Sequence, residues 1–250
     1  MDKSVAKLVR VINAIARHGD EGIGTTDVAR EMGWPKGTAS RVLTALEEND
    51  LLERDPATKV YRIGSQVLRW ATAVSGPGAR HNAVRRRLAA FSQETGRCAY
   101  LCELIGLNII CTDVAYPLHS HRYYAQVGAL MPVHASSGAK AIAMRLESSQ
   151  VHSLLAACNF EPLTEKTITR PEDWWTNVKQ ARVAGYAACY EEMEPGVTAL
   201  SVPTVVDGRP MSVSVVGAAD DMKNHESELV DALKKLAAGM EMLSLVSEPD

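Results

Sequence analysis

The stretch from residue 25 to residue 62 constrains the fold of this chain more than any other. Its sequence is TTDVAREMGWPKGTASRVLTALEENDLLERDPATKVYR, which predicts two short helices joined by a tight turn and followed by a β-hairpin. This order defines a helix-turn-helix with a wing, whose second helix enters the major groove of DNA. Because the stretch lies within the first third of 250 residues, a larger second domain must follow it.

The second helix of the pair, predicted over residues 35–49, decides between DNA binding and an ordinary surface helix. Its apolar residues recur at helical spacing and predict a buried face, formed by Ala39, Val42, Leu43 and Leu46. The opposite face carries cations with small and hydroxyl side chains, which can approach the groove, contact guanine and reach phosphates. A solvated surface is the alternative, but the neighbouring helix and hairpin favour DNA.

The hairpin brings cations to the place where a wing contacts phosphates or the minor groove. Arg54 precedes the turn at residues 55–58, although it can equally pair with Glu53 or Asp55 in the free protein. The predicted DNA-contacting residues are Thr25, Thr26, Lys36, Gly37, Thr38, Ser40, Arg41, Thr44, Arg54, Lys59 and Arg62.

A further helix is predicted before this motif, over residues 5–17. Its apolar residues predict one inward face, formed by Val5, Leu8, Val9, Ile12, Ile15 and Ala16. We expect Thr25 to cap the next helix and Gly33 to supply the turn after it. Pro35 is expected in the first turn of the third helix, where its missing N–H costs nothing.

Composition restricts the class of protein without identifying it. Hydrophobic residues make up 46% and charged residues 23%, as in ordinary globular proteins, and the net charge of -3 does not by itself indicate a nucleic-acid binder. No apolar run reaches the roughly 18 residues of a membrane helix, and the first residues lack the features of a signal peptide. We therefore expect a cytoplasmic protein without a membrane partner.

The five cysteines form an odd set without a CxxC pair: Cys98, Cys102, Cys111, Cys158 and Cys189. In a cytoplasmic protein they are expected to be free, buried thiols. A zinc site that combines Cys98 and Cys102 with His119 or His121 is the alternative, but this spacing matches no structural zinc pattern. We predict no metal and no cofactor.

The remainder of the chain predicts strands and helices without regular β-α-β alternation, which favours an α+β domain with a mainly antiparallel sheet. The predicted strands span residues 98–105, 107–114, 123–127, 186–190, 197–203 and 211–217. The predicted helices span residues 80–95, 137–144, 171–184 and 225–246. Asp207 and Gly208 form the turn signal between the last two strands.

Several separated segments resemble one family in the same order along the chain. They are GIGTTDVAREMGWPKGTASRVLTALEENDLLERD, YRIG, LMPVHASSGAKA, PLTEKTITRPE and GYAACYEEMEPGVTALSVPTVVDGR. In these segments the chain resembles the IclR family of bacterial transcriptional regulators. The resemblance implies a winged helix-turn-helix domain at residues 1–62, a linker helix shared between subunits at 63–78, and a GAF-like effector-binding domain at 79–250. It also implies a homodimer or tetramer.

The segment HASSGAKA suggests where a small molecule binds. Ser136 or Ser137 can cap a helix that begins near Gly138, and its free N–H groups suit a carboxylate as well as an ordinary cap. The resemblance implies that a small organic acid binds at this loop. Aligning the motifs implies the pocket residues Tyr123, Ser136, Ser137, Gly138, Cys189, Ala199, Ser201 and Ser214.

Two pocket residues depart from the family's pattern, since Ser137 replaces the commoner glycine and Cys189 lacks the acidic group of relatives that bind small keto acids. Tyr123, with His119, His121 and Tyr124 nearby, suits a larger or aromatic acid, or else forms a surface or subunit contact.

The sequence contains no catalytic motif. Glu191, Glu192 and Glu194 precede a Pro-Gly turn and are expected to be solvated rather than catalytic. We therefore predict a DNA-binding regulator of a catabolic operon that senses an organic acid and is not an enzyme. The alternatives are a zinc or redox sensor that uses Cys98, Cys102 and Cys111, and an enzyme whose winged helix serves assembly.

Overall fold

The structure is a computed structural model, and it describes residues 3–75, 79–118 and 124–245. The chain separates into two compact units, residues 1–77 and residues 78–250. None of the helices in these described ranges is long and apolar enough to cross a membrane.

The first unit is a winged helix-turn-helix. Its helices are α1 (Lys3–Arg17), α2 (Thr25–Met32), α3 (Lys36–Glu47) and α4 (Ser65–Ser75), with one 3₁₀ turn at Gly19–Glu21. The wing consists of two antiparallel strands, β1 (Leu52–Arg54) and β2 (Tyr61–Ile63), with Leu52 opposite Ile63. The core of this unit is formed by Val11, Ile15, Ile23, Val28, Ala29, Ala39, Leu43, Leu46, Leu52 and Tyr61.

The turn between α2 and α3 depends on Gly33. This residue ends α2 in the left-handed conformation, with φ of 68°, and its N–H bonds the carbonyls of Ala29 and Arg30. Both helix starts were predicted one residue off: Gly24 and not Thr25 caps α2, which begins at Thr25, and Pro35 is the N-cap of α3, which begins at Lys36, instead of a residue of its first turn.

Only part of the apolar face predicted for helix α1 is buried. Val11, Ala14 and Ile15 are fully buried in the core of the unit. The predicted core residues Val5, Leu8 and Val9 are instead exposed. Helical spacing does not distinguish the buried residues from the exposed ones, because the reach of the neighbouring elements decides which of them are covered.

The second unit contains a six-stranded sheet with helices on both faces. Its strands are β3 (Cys98–Ile105), β4 (Asn108–Ala115), β5 (Leu130–Met131), β6 (Ala187–Tyr190), β7 (Val197–Val206) and β8 (Arg209–Ala218). They lie in the order β5-β4-β3-β8-β7-β6, and all neighbours are antiparallel. The helices are α5 (Ala79–Thr95), α6 (Ser137–Ala143), α7 (Ser148–Ala156), α8 (Pro171–Ala184), α9 (Ala219–Asn224) and α10 (Glu226–Leu245). The predicted α+β fold is confirmed.

The alternation of side chains along each strand divides this domain into two cores. Ala99 and Leu101 face α5 and α10, together with Leu200, Val213 and Val215. Cys98, Tyr100 and Cys102 face the opposite side, where α6, α7 and α8 lie. This second face of the sheet holds all the predicted pocket residues that come from β6, β7 and β8.

The predicted strand at residues 123–127 was wrong in its described part. Residues 124–127 form no strand, and the short edge strand β5 lies further along the chain. Gly128, with φ of 87°, turns the chain before β5, and its N–H bonds the carbonyl of Cys111. Residue 123 itself lies outside the described residues.

Candidate functional sites

Helix α3 presents a polar face that is free to contact another molecule. Ala39, Leu43 and Leu46 hold the helix on the core of the first unit. The opposite face is exposed at Lys36, Gly37, Ser40, Arg41 and Thr44, whereas Thr38 is half-buried. Across the described parts of the chain, neither Lys36 nor Arg41 makes an ion pair or a side-chain hydrogen bond.

The wing is organised by a carboxylate in its turn. Asp55 Oδ1 accepts hydrogen bonds of 2.8 Å from the N–H groups of Ala57 and Thr58. These N–H groups, more than the nearby Arg62, lower the pKa of Asp55 to about 2. The charged carboxylate is therefore part of the folded turn.

The three predicted wing cations have different surroundings. Lys59 is exposed and has a left-handed φ of 62°. The Arg54 guanidinium lies 5.5 Å from the centre of the Tyr61 ring, and not in the alternative pairing with Glu53 or Asp55. Arg62 is tied to its own unit, because its Nε donates to the carbonyl of Asp20 at 2.7 Å and its Nη1 lies 3.4 Å from Asp55 Oδ2. Arg62 therefore supports the wing, a role that the sequence pattern did not indicate.

In the second unit, α6 lies unusually close to the sheet. All seven of its residues are buried, and Ser136 caps it by accepting a 3.3 Å hydrogen bond from the N–H of Ala139. A Cβ atom on Gly138 would lie 3.1 Å from both Cys102 Sγ and Ser212 Oγ. A side chain at this position would therefore push the helix away from the strands.

The close approach of α6 creates a buried cluster of hydroxyl groups. Ser201 Oγ donates to Ser137 Oγ at 2.8 Å and lies 2.7 Å from Ser214 Oγ. Tyr100 is opposite Ser214 in the sheet, and burial raises the pKa of its hydroxyl well above the usual value. We call Tyr100, Ser137, Ser201 and Ser214 the hydroxyl cluster.

The structure places most of the predicted pocket residues together. Cys189 pairs with Ala199 across β6 and β7, on the sheet face that carries Ser201 and Ser214. Tyr123 lies outside the described residues. Tyr100 and Ser212 were missed by sequence reasoning, although the two-residue alternation along β3 and β8 could have placed both on this face.

The loop before α6, residues 132–136, is held by distant parts of the chain. The fully buried Trp174 donates its Nε1–H to the carbonyl of Val133 at 2.9 Å. His134 Nε2 lies 2.8 Å from the carbonyl oxygen of Glu161, a distance at which Nε2–H donates to it. These contacts fix the start of α6 from two sides.

A buried ion pair lies at the middle of α6. Lys140 is completely buried, and its Nζ lies 2.5 Å from Glu192 Oε1 and 3.2 Å from the carbonyl of Ala188. The expected solvation of Glu192 was therefore wrong, and burial raises the pKa of its carboxyl despite the nearby Lys140. Of the two neighbouring glutamates, Glu194 is exposed and Glu191 pairs with Lys166.

The cysteines are all free, and four of the five are buried, with Cys158 half-buried. Burial raises the pKa of Cys98 and of Cys111 to about 12, so both are protonated thiols at neutral pH. Within the described residues no group of three or more His, Cys, Asp or Glu side chains is placed to hold a metal ion. His119 and His121, which the zinc alternative requires, lie outside those residues.

A winged helix-turn-helix joined to a separate domain with a buried polar cluster is the architecture of a DNA-binding regulator with a sensing domain. Comparison with protein families gives the specific assignment. Residues 4–56 match the IclR helix-turn-helix domain, and residues 72–241 match the bacterial transcriptional regulator IclR C-terminal domain. The chain belongs to the IclR family of DNA-binding transcriptional regulators.

Individual relatives agree with this assignment. The glycerol operon regulatory protein of Streptomyces griseus is 26% identical over 232 residues, which are 89% of this chain and 89% of that protein. The HTH-type transcriptional regulator Rv1719 of Mycobacterium tuberculosis is 28% identical over 232 residues, 91% of this chain and 86% of that protein.

A solved structure shares the fold. It is an IclR homologue from Microbacterium hydrocarbonoxydans in complex with 4-hydroxybenzoate, with a TM-score of 0.76, 22% identity, and coverage of 97% of this chain and 99% of that one. The predicted family and fold class are confirmed. The comparisons favour neither the enzyme nor the zinc or redox sensor.

Proposed function

We propose that the chain controls a catabolic operon in response to a small organic acid, which binds beside the hydroxyl cluster. The observation that carries the proposal is the buried Ser137–Ser201–Ser214 network beneath α6, in a chain whose other unit exposes an unpaired cationic helix face. The glycerol operon regulatory protein among the relatives supports a catabolic operon as the target. Since the operator lies on the chromosome, we place the protein in the cytoplasm.

The DNA-contacting surface is the exposed face of α3 together with the wing. Arg41 and Lys36 have no internal partner within the described ranges, so contact with DNA breaks no existing ion pair. Ser40, Thr44 and the small Gly37 allow the helix backbone to approach the groove. Thr25, Thr26, Thr38, Arg54 and Lys59 are proposed to contact the flanking backbone, and Arg62 to support the wing.

A second copy of the chain would cover the apolar residues that the first unit exposes. Helix α1 exposes Val5, Leu8 and Val9, and α4 exposes Leu68 at 70% and Trp70 at 54%. Such faces mark association surfaces, and a two-fold dimer reads two half-sites separated by about one helical turn of DNA. We propose a dimer, or a pair of dimers, with residues 63–78 as the linker between residues 1–62 and 79–250.

The proposed effector is an acid because the pocket offers hydrogen-bond donors. Ser137, Ser201 and Ser214 are fully buried hydroxyls on one side of the pocket, and Cys189 contributes a neutral wall. These hydroxyls bond to one another in the absence of a ligand, and a ligand with acceptor oxygens can take some of these hydrogen bonds without leaving a buried polar group unpaired. The homologue in complex with 4-hydroxybenzoate makes an aromatic acid the first candidate.

Removal of the Arg41 side chain tests the DNA-binding surface. We expect Arg41→Ala to weaken operator binding by about 1–3 kcal/mol, roughly 5- to 150-fold, because an Arg contact with a base is lost. Effector affinity should stay unchanged, since α3 belongs to the other unit. Arg86→Ala removes the same charge from an exposed position on α5 and should leave operator binding intact. Undiminished binding by Arg41→Ala in a gel-shift assay would contradict the assignment.

Calorimetric titration with 4-hydroxybenzoate, benzoate and pyruvate tests the sensing half of the proposal. We expect the aromatic acids to bind and operator affinity to change when they do, by a coupling of about 1–3 kcal/mol. Tighter binding of pyruvate would reverse the preference for aromatic acids. Absence of binding by all three would refute the proposed effector class.

A further inference from the structure

Lys140 is a completely buried lysine in α6, a helix whose other residues are Ser, Gly, Ala and Ile. Its Nζ reaches Glu192 Oε1 at 2.5 Å, so the pair joins α6 to the segment that follows β6. Glu192 Oε2 is buried and has no hydrogen-bond partner of normal geometry among the described residues, although the backbone N–H groups of Tyr190 and Ile168 favour the charged form of this carboxyl. The pair is therefore only partly satisfied.

Stability alone does not account for such a pair. Taking two charges out of water costs about as much as their attraction returns, and replacing a buried pair with apolar residues of similar size is often neutral or stabilising. The orphan oxygen of Glu192 adds a further cost. We therefore expect the pair to fix the position of α6 rather than to stabilise the fold.

The pair lies next to the proposed effector pocket. Lys140 follows Ser137 by three residues and Ser136 by four, so it shares their side of the helix. Lys140 Nζ also donates to the carbonyl of Ala188 at 3.2 Å, and Ala188 directly precedes Cys189, the neutral pocket wall. A shift of Lys140 would thus disturb both α6 and the wall of the pocket.

The backbone at Glu192 is held in place by two threonines. Thr167 Oγ1 donates to the backbone carbonyl of Glu192 at 2.7 Å, and Thr164 Oγ1 donates to the carbonyl of Glu191 at 2.8 Å. Because this backbone is fixed, the ion pair with Lys140 fixes the position and rotation of α6. The seven residues of α6 could not define this position alone, because isolated helices of this length are marginal.

We propose that Lys140 and Glu192 are positioning residues for effector binding, which hold α6 so that the Ser137 hydroxyl meets the ligand. The inference rests on the proposed effector pocket. In this proposal neither Lys140 nor Glu192 contacts the ligand. Its physical basis is that hydrogen bonds to a bound acid tolerate only small displacements of their donors.

The test separates positioning from stability with a double variant. Lys140→Met and Glu192→Gln each leave one buried charge unpaired and should lower the unfolding temperature of the second unit. Lys140→Met/Glu192→Leu removes both charges and should recover most of that loss. We nevertheless expect the double variant to bind 4-hydroxybenzoate at least about tenfold more weakly. Its ligand-free operator binding should stay within about twofold of the wild type.

A second measurement needs no ligand. Hydrogen exchange in peptides that cover residues 136–143 should be at least about tenfold faster in the double variant, because α6 has lost its fixed point. If the double variant does not fold, Lys140→Met, which removes the Nζ donor to Glu192 and keeps a side chain of similar length, should show the same change. Wild-type exchange rates, or wild-type affinity in a folded double variant, would overturn the inference.

The neighbouring Lys166–Glu191 pair provides the matched control. Lys166 is exposed, and Lys166→Met breaks a Lys–Glu pair one residue from Glu192, so both effector affinity and exchange should stay unchanged. If wild-type protein fails to bind 4-hydroxybenzoate while the exchange result holds, the proposed ligand is wrong and the positioning role stands.

Discussion

Gly64 offers a sharp test of how the wing is joined to α4. A Cβ atom added here would lie 2.2 Å from the carbonyl oxygen of Asp50 and 2.9 Å from the carbonyl carbon of Leu51. These are backbone atoms, so no side-chain rotation can relieve the overlap in Gly64→Ala. The chain must separate at this junction.

The loss in free energy of unfolding follows from the contacts that this separation breaks. The N–H of Gly64 bonds the carbonyl of Leu51 at 2.9 Å, and the N–H of Gln66 bonds that of Asp50 at 3.0 Å. Two hydrogen bonds contribute about 1–3 kcal/mol together, and overpacking adds about 1–3 kcal/mol. We expect a loss of about 2–6 kcal/mol, against roughly 4–11 kcal/mol for a unit of this size.

The assay is a urea titration followed by hydrogen-exchange mass spectrometry, which follows peptides from the two units separately. Peptides from residues 3–75 should lose protection at lower urea in Gly64→Ala, and those from residues 79–245 should not. Gly37→Ala is the control for stability, because a Cβ there meets nothing within 4 Å; it should be neutral or stabilise the first unit by about 0.5–1 kcal/mol. A first unit in Gly64→Ala that keeps its wild-type urea midpoint would refute the reasoning.

Two further predictions concern the pocket and the wing. Ser201→Ala removes the hydroxyl that joins Ser137 to Ser214, so we expect the calorimetric affinity for 4-hydroxybenzoate to fall by about 1–2 kcal/mol. Substitution of an exposed serine, Ser149→Ala, should leave this affinity unchanged. Equal loss in both variants would contradict the pocket assignment. The pKa of Asp55 is lowered to about 2 from 3.8, so its charge stabilises the folded wing above pH 3.8, and this contribution is lost as the pH falls through 2. Asp55→Asn should therefore make the first unit less stable at pH 5, with the difference vanishing near pH 2, and a constant difference across an unfolding series from pH 5 to pH 2 would disprove the linkage.

Short-range sequence patterns were sufficient to predict the main elements of the first unit. The spacing of Ala39, Leu43 and Leu46, the turn at Gly33 and the hairpin residues lie within a few positions of one another, so propensity and periodicity determine them. The same reasoning could not separate the buried apolar residues of α1 from the exposed ones. That division depends on which neighbours reach the helix, and sequence spacing contains no such information.

By itself, the sequence determined the family, the winged helix-turn-helix and the antiparallel sheet, and it limited the cap of α6 to Ser136 or Ser137. Each rests on short-range patterns or on motifs in fixed order. Only the tertiary structure decided that Glu192 is buried against Lys140, 52 residues away, while Glu194 remains exposed. Three glutamates before a Pro-Gly turn have nearly the same local sequence, and their environments differ because distant elements fold over one of them and leave another in water.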